Sequence, residues 1–216
     1  MVFILVGCKS GTFKEKFDEG SIVFDIEYVN NSGKSFPLQL LPKTIEMKFN
    51  QNFTSYTIED RVGLFSISNI VNLHNHKNET LIKVFDKKYV YSGGGEEPPV
   101  FFNTTKPYEI SYQNDTVRVA GILCKRASYV EQKTQKPCYI FYTTNIKVRA
   151  PYVNTPYSEV KGLLMQFSIQ MKNLDMKLTA KKVTAKEISD EEFAVPEEYK
   201  AITKKHMEEI INTLLP

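Results

Sequence analysis

Apolar and polar residues alternate with a period of two along most of this chain. Ile22, Phe24, Ile26 and Tyr28 alternate with Val23, Asp25, Glu27 and Val29, and Asn30-Asn31-Ser32-Gly33 then turns the chain. Ile45, Met47 and Phe49 alternate with Glu46, Lys48 and Asn50. Further strands are expected at 54–59, 64–70, 81–85, 88–91, 108–112, 117–130 and 138–148. The cleanest alternation sets Met165, Phe167, Ile169 and Met171 against Gln166, Ser168, Gln170 and Lys172. A turn at Asn173-Leu174-Asp175 leads back through Met176, Leu178 and Ala180, and the phase slips at Lys181-Lys182, which predicts a bulge before Val183.

One-sided alternation over so many segments predicts an antiparallel sheet with an apolar face and a wet face. The only long helical stripe is near the end, where Tyr199, Ile202, Met207, Ile210, Ile211 and Leu214 recur at three-to-four spacing. Pro196 precedes it, and Ser189-x-x-Glu192 has the spacing of a capping box for a short preceding turn. One helix of about 16 residues cannot cover about nine strands at this period. The sheet is therefore expected to curl into a barrel or half-barrel whose interior is packed, plugged or occupied.

The first residues carry a different signal. Val2-Phe3-Ile4 is apolar and Leu5-Val6-Gly7-Cys8 follows. This reads as a bacterial lipobox, in which small residues admit a peptidase and the Cys8 thiol accepts acyl chains. The apolar run is only about six residues against the usual ~7–15, and no Lys or Arg precedes it. A buried first strand with a core cysteine is the competing reading. A phosphate loop is not: Thr12-Phe13 follows Gly11 where a Lys and a hydroxyl residue belong. On the lipobox reading, residues 1–7 are a signal-peptide remnant and 8–20 a lipidated tether. Residues 21–216 then form one β-rich domain.

Composition narrows the classes. The 216 residues include fourteen Phe and twelve Tyr but no Trp, a balance that favours strands. A net charge of +3, spread among carboxylates, gives no nucleic-acid signature. No later segment approaches 18 consecutive apolar residues. With Cys8 acylated, Cys124 and Cys138 remain. A turn near Thr134 makes opposite residues sum to about 268, so Cys124 faces Thr144, Cys138 faces Val130, and the thiols stay too far apart to bond.

The order of several segments resembles a known group. Tyr108–Tyr112, Val119–Ala127, Tyr142–Ile146, Lys161–Phe167 and Asp190–Tyr199 together resemble uncharacterised bacterial lipoproteins related to the LolA/LolB-type carrier fold and the GLPGLI family. Lys161-Gly162-Leu163-Leu164 is not the hexapeptide that names the latter. The resemblance implies a mainly β, curved antiparallel half-barrel with helices as a lid and a cavity able to hold an acyl chain.

Candidate chemistry is sparse. Ile22, Phe24, Ile26, Ile45, Met47, Phe49, Met165, Phe167, Ile169 and Met171 form one face that either lines an apolar-ligand cavity or fills a core. His74-Asn75-His76 sits in a polar stretch, 73–80, expected to be a turn, with no cysteine or carboxylate cluster to complete a metal site. His206 falls on the polar edge of the helix. No nucleophile–base set, cofactor motif or metal motif emerges. Sequons at Asn30, Asn52, Asn78, Asn103 and Asn114 are what a chain rich in Asn and Thr produces by chance. The sequence thus leads to a monomeric, non-enzymatic lipoprotein of the cell envelope, held to the outer membrane through Cys8 and facing the periplasm. Its expected partner is a lipid or other apolar ligand. The alternative is a solid-cored interaction lipoprotein that docks an envelope protein.

Overall fold

The computed structural model describes residues 16–31, 41–102, 106–131, 135–171 and 174–214. Cys8, residues 1–7 and the tether up to residue 15 lie outside the described residues. Twelve strands share one sheet: β1 Gly20–Asn31, β2 Thr44–Phe49, β3 Phe53–Glu59, β4 Phe65–Asn72, β5 Lys77–Val84, β6 Lys87–Gly94, β7 Ser111–Val119, β8 Ile122–Val130, β9 Pro137–Thr143, β10 Leu163–Met171, β11 Leu174–Ala185 and β12 Lys200–Ala201. One helix, α1, spans Lys204–Leu214. The strand order is β12-β6-β5-β4-β3-β2-β1-β11-β10-β9-β8-β7. Every pairing is antiparallel except β12 with β6.

Two meanders meet at the centre, where β1 pairs with β11. The expected bulge is there: Val23 faces Lys182 and Phe24 faces Ala180, leaving Lys181 as the extra residue. Other boundaries move. The expected 117–130 strand is two strands, because Ala120 (φ 48°) and Gly121 (φ 80°) form a tight turn with positive φ at both positions. The strand expected at 81–85 begins at Lys77, so only residues 73–76 turn. The β8–β9 register also differs by one from expectation, with Tyr129 facing Cys138 and Lys125 facing Tyr142. Cys124 and Cys138 are both free thiols, and burial pushes the Cys124 thiol up to about 11.

The sheet is open, with β12 and β7 at its edges, but one flank rolls up. β7 stands four strands from β11 yet touches it. A flat sheet would hold the two about 19 Å apart at the usual interstrand spacing. Rolling is only part of how the apolar face is covered. The β6–β7 connection carries buried Phe101 and Phe102, and the β9–β10 connection carries buried Tyr152 and Tyr157. These aromatics pack against the sheet as a plug.

The other face departs from the expected wet surface on one flank. Ile70, Leu81 and Val90 point outward from β4, β5 and β6 and are covered by Ile188 and Phe193. Phe193 stacks on Phe53 at 5.1 Å, and the Asn50 amide donates to the Ile188 carbonyl at 3.0 Å. Ser189 does stand at the start of a short 3₁₀ turn, 190–193, but its side chain makes no cap, and Glu192 instead pairs with Lys48 at 3.0 Å. The final helix is shorter than its stripe, because Lys200 and Ala201 leave it to pair with β6.

Candidate ligand cleft

The ten residues expected on one face do come together. Ile22 faces Met47 and Phe24 faces Ile45 across β1–β2. Phe24 meets Phe167 edge-on at 5.7 Å. Nine of the ten are buried and Ile26 is half-buried, and all belong to one packed core. Met171 also borders a cleft, and that cleft lies to one side of the expected face.

The cleft measures about 220 Å³ and opens between the inner face of β5–β6 and α1. Its apolar wall is Val100, Phe102, Met171, Met207 and Ile211. Met207 and Ile211 lie four apart, so α1 turns both toward the sheet, and both are buried. The helix is held along its length by Met207, Ile210, Ile211 and Leu214, which pack on the core, and its start is also hydrogen-bonded. The Ile202 amide donates to the Val90 carbonyl at 2.9 Å, and the Thr203 hydroxyl accepts from the His206 amide at 3.3 Å.

The strand side of the cleft is polar. Asn78, Thr80 and Tyr91 line it from β5 and β6. Behind them, fully buried Asn69 donates through its amide to Asn78 Oδ1 at 2.6 Å, to the Glu79 carbonyl at 3.3 Å and to Thr80 Oγ1 at 3.4 Å. Asn78 passes the chain on, donating to the Glu97 carbonyl at 3.1 Å. Asn69 Oδ1 has no hydrogen-bond partner, an uncommon state for a buried amide oxygen.

Charge is confined to the rim. Lys204 pairs with Glu97 at 2.8 Å, and the Tyr91 hydroxyl donates to the other Glu97 oxygen at 2.7 Å. The hydrogen bond from Lys204 is the main reason the Glu97 carboxyl sits below the ordinary carboxylate range, with Tyr91 adding to it. Burial first, and then Glu97, push the Tyr91 phenol up.

His74 and His76 are exposed on the β4–β5 turn, and His206 is exposed beside the Tyr89 ring. Among the described residues no three of His, Cys, Asp and Glu gather in a way that could hold a metal ion. Among them, too, no helix is long and apolar enough to cross a membrane.

Sequence reasoning missed Asn78 and Thr80, because residues 77–80 read as part of a polar turn, and missed Asn69, a polar residue inside the strand expected at 64–70. The signal was present as a period of two: Asn78, Thr80 and Ile82 share the inner face of β5, as Ile67 and Asn69 do on β4. Asn78 is buried and hydrogen-bonded through both amide atoms, so its sequon has no free nitrogen in the folded domain.

No family model and no curated protein matches the chain. Among solved structures it is similar to PNGF-II in one crystal form, at 14% identity and a TM-score of 0.51, covering 90% of this chain and 33% of that one. A second crystal form of PNGF-II gives 12% identity and a TM-score of 0.49, covering 89% and 32%. The chain therefore spans about a third of the length of the solved structures it matches, and the first likeness is one of fold alone.

Proposed function

We propose that this domain is a non-enzymatic, membrane-tethered binding module of the cell envelope. Its rolled flank and helical roof are read as a LolA-like half-barrel, and its ligand as a small lipid-like or otherwise apolar molecule. One observation carries the reading: a cleft with an apolar wall and a polar floor lies beneath the amphipathic helix α1. An alkyl segment between Phe102, Met171, Met207 and Ile211 would gain ~0.8 kcal/mol for each CH₂ taken out of water. Movement of α1 away from Phe102 and Met171 would release it. The cleft is half as large again as the ~150 Å³ cavity that holds benzene, so it takes a short alkyl segment.

Native mass spectrometry of the protein extracted from its host's membranes tests both halves of the reading. The expected spectrum shows an acylated chain beginning at Cys8 with a bound small molecule. That molecule should be lost from the Gly93→Val variant, whose new side chain would crowd Tyr91 and Glu97 at the cleft floor. An unacylated chain starting at Met1 would overturn the tether, and a ligand-free protein would overturn the binding role.

A second reading, an interaction module that docks an envelope protein, is favoured by the solid interior. Of the ten face residues, Met171 borders the cleft and the other nine are packed in or against the core. It expects Gly93→Val to change nothing.

A further inference from the structure

The polar floor of the cleft restricts what the polar end of a ligand can be. Asn78 and Thr80, the floor groups on β5, are neutral, and Asn69 behind them is neutral too. Each is already half committed in a way that leaves a defined remainder. Thr80 Oγ1 accepts from Asn69, so its own proton is left to donate. Asn78 Oδ1 accepts from Asn69 and keeps a second lone pair. The complement to one donor and one acceptor side by side is a group that both accepts and donates, which describes a hydroxyl or a primary amide.

Ionised head groups fit badly. Glu97 and Lys204 satisfy one another at 2.8 Å, and Glu97 takes a second hydrogen bond from Tyr91. An incoming carboxylate would meet Glu97 and Glu208 on the cleft wall. An incoming ammonium would have to displace Lys204 from Glu97. Either ion would also surrender its hydration for neutral partners, and burying an unpaired charge costs far more than burying a hydroxyl. Size adds a limit. A cavity of ~150 Å³ holds the six carbons of benzene, so about 220 Å³ holds roughly nine heavy atoms.

We infer that the cleft beneath α1 selects an uncharged amphiphile, headed by a hydroxyl or primary amide on an alkyl segment of about eight carbons, over ionised lipids of the same length. This rests on the binding role proposed above. The head lies against Thr80 and Asn78, and the alkyl segment lies along Phe102, Met171, Met207 and Ile211.

Calorimetric titration of the full chain near neutral pH with octan-1-ol, octanamide, octanoate and octylammonium tests it. The two neutral ligands should bind at least about ten-fold more tightly than either ion. Thr80→Val, which keeps the shape and removes the hydroxyl, should weaken octan-1-ol about five-fold. Glu97→Gln, which leaves Lys204 unpaired, should narrow the gap between octan-1-ol and octanoate. Equal binding of octanoate or octylammonium to the unaltered protein overturns the selectivity while leaving the binding role standing. No binding by any of the four overturns the binding role itself.

Discussion

The two flanks of the sheet bury their inner faces by opposite means. From β8 to β10 the plug is aromatic. Tyr157 is packed edge-on against Tyr108, Tyr129, Phe102 and Phe167. Its hydroxyl donates to the Ser168 carbonyl at 2.5 Å and lies 3.2 Å from that of Tyr129. Tyr108 stacks on Tyr129 at 3.9 Å, and the Tyr152 hydroxyl accepts from the Leu164 amide at 2.7 Å. From β4 to β6 the buried face instead carries Asn69, Asn78 and Thr80 under a helix, with one amide oxygen unpaired. The first flank engages its buried tyrosine hydroxyls within close-packed rings. The second keeps room and leaves an acceptor unsatisfied. Sites that break the usual rules of burial are where function is commonly housed.

The largest blow to this contrast is Tyr157→Ala. Removing a buried aromatic ring should cost about 3–5 kcal/mol in urea unfolding. A loss below about 1 kcal/mol would mean that the aromatic plug does not hold its flank.

High pH attacks the same flank. Burial raises the phenols of Tyr129, Tyr152 and Tyr157 well above their ordinary value. Their stabilisation is complete below the unfolded value near 10 and falls as pH climbs from there toward the folded values. Each such tyrosine then costs ~1.4 kcal/mol per pH unit. The share of the tyrosinate absorbance that belongs to these buried phenols should appear only together with loss of near-ultraviolet circular dichroism, above about pH 10. All of the tyrosinate forming while the circular dichroism stays intact would show these hydroxyls to be wet.

On the cleft flank, Asn69→Leu loses the hydrogen bonds that the two amide protons share among Asn78, Glu79 and Thr80 but also removes the unpaired acceptor. The opposing effects should leave stability within about 1 kcal/mol of the parent, while the affinity for octan-1-ol falls. A much larger destabilisation would make the polar ladder a structural element instead.

Lys204→Ala is the gentlest change. The pair is partly exposed, so its loss should cost less than about 1 kcal/mol, and the readout is faster ligand dissociation. Glu97 gives the sign of the pH effect. Its lowered folded value means that the contribution is present above the unfolded carboxylate value near 4.3 and is lost as pH falls through the folded value below it. Lys204→Ala should shrink that acid-side loss of ligand retention, with the Tyr91 hydrogen bond to Glu97 keeping part of it.

Much of the sheet was legible because its face residues obey a period of two. The β1–β2 and β10–β11 faces, the Lys181 bulge and the isolation of Cys124 from Cys138 all followed from alternation and turn signals. Three things did not follow. The aromatic plug was illegible because Phe101, Phe102, Tyr152 and Tyr157 sit in connections with no periodicity. The outer cover over Ile70, Leu81 and Val90 was illegible because it depends on where a distant segment, 188–199, comes to rest. The cleft floor was missed because Asn78 and Thr80 are polar where a core strand is expected to be apolar, so strand and turn exchanged places. The α1 stripe, in turn, ran past the true helix start because Tyr199 and Ile202 are apolar for another reason, packing beside β6.

The seam at the middle of the sheet joins strands far apart in sequence, with Gly20 facing Ala185. A chain leaving the ribosome can zip β1 to β6 hairpin by hairpin, each pairing local and quick. Throughout that time β1 presents a bare row of backbone donors and acceptors on the side where β11 belongs, and β11 emerges only after β2 to β10. An unfilled edge of this kind is a template for a neighbour's strand. Synthesis, rather than heat, is therefore when this molecule is most exposed to mispairing, and slowing translation through 111–174 should lengthen that exposure.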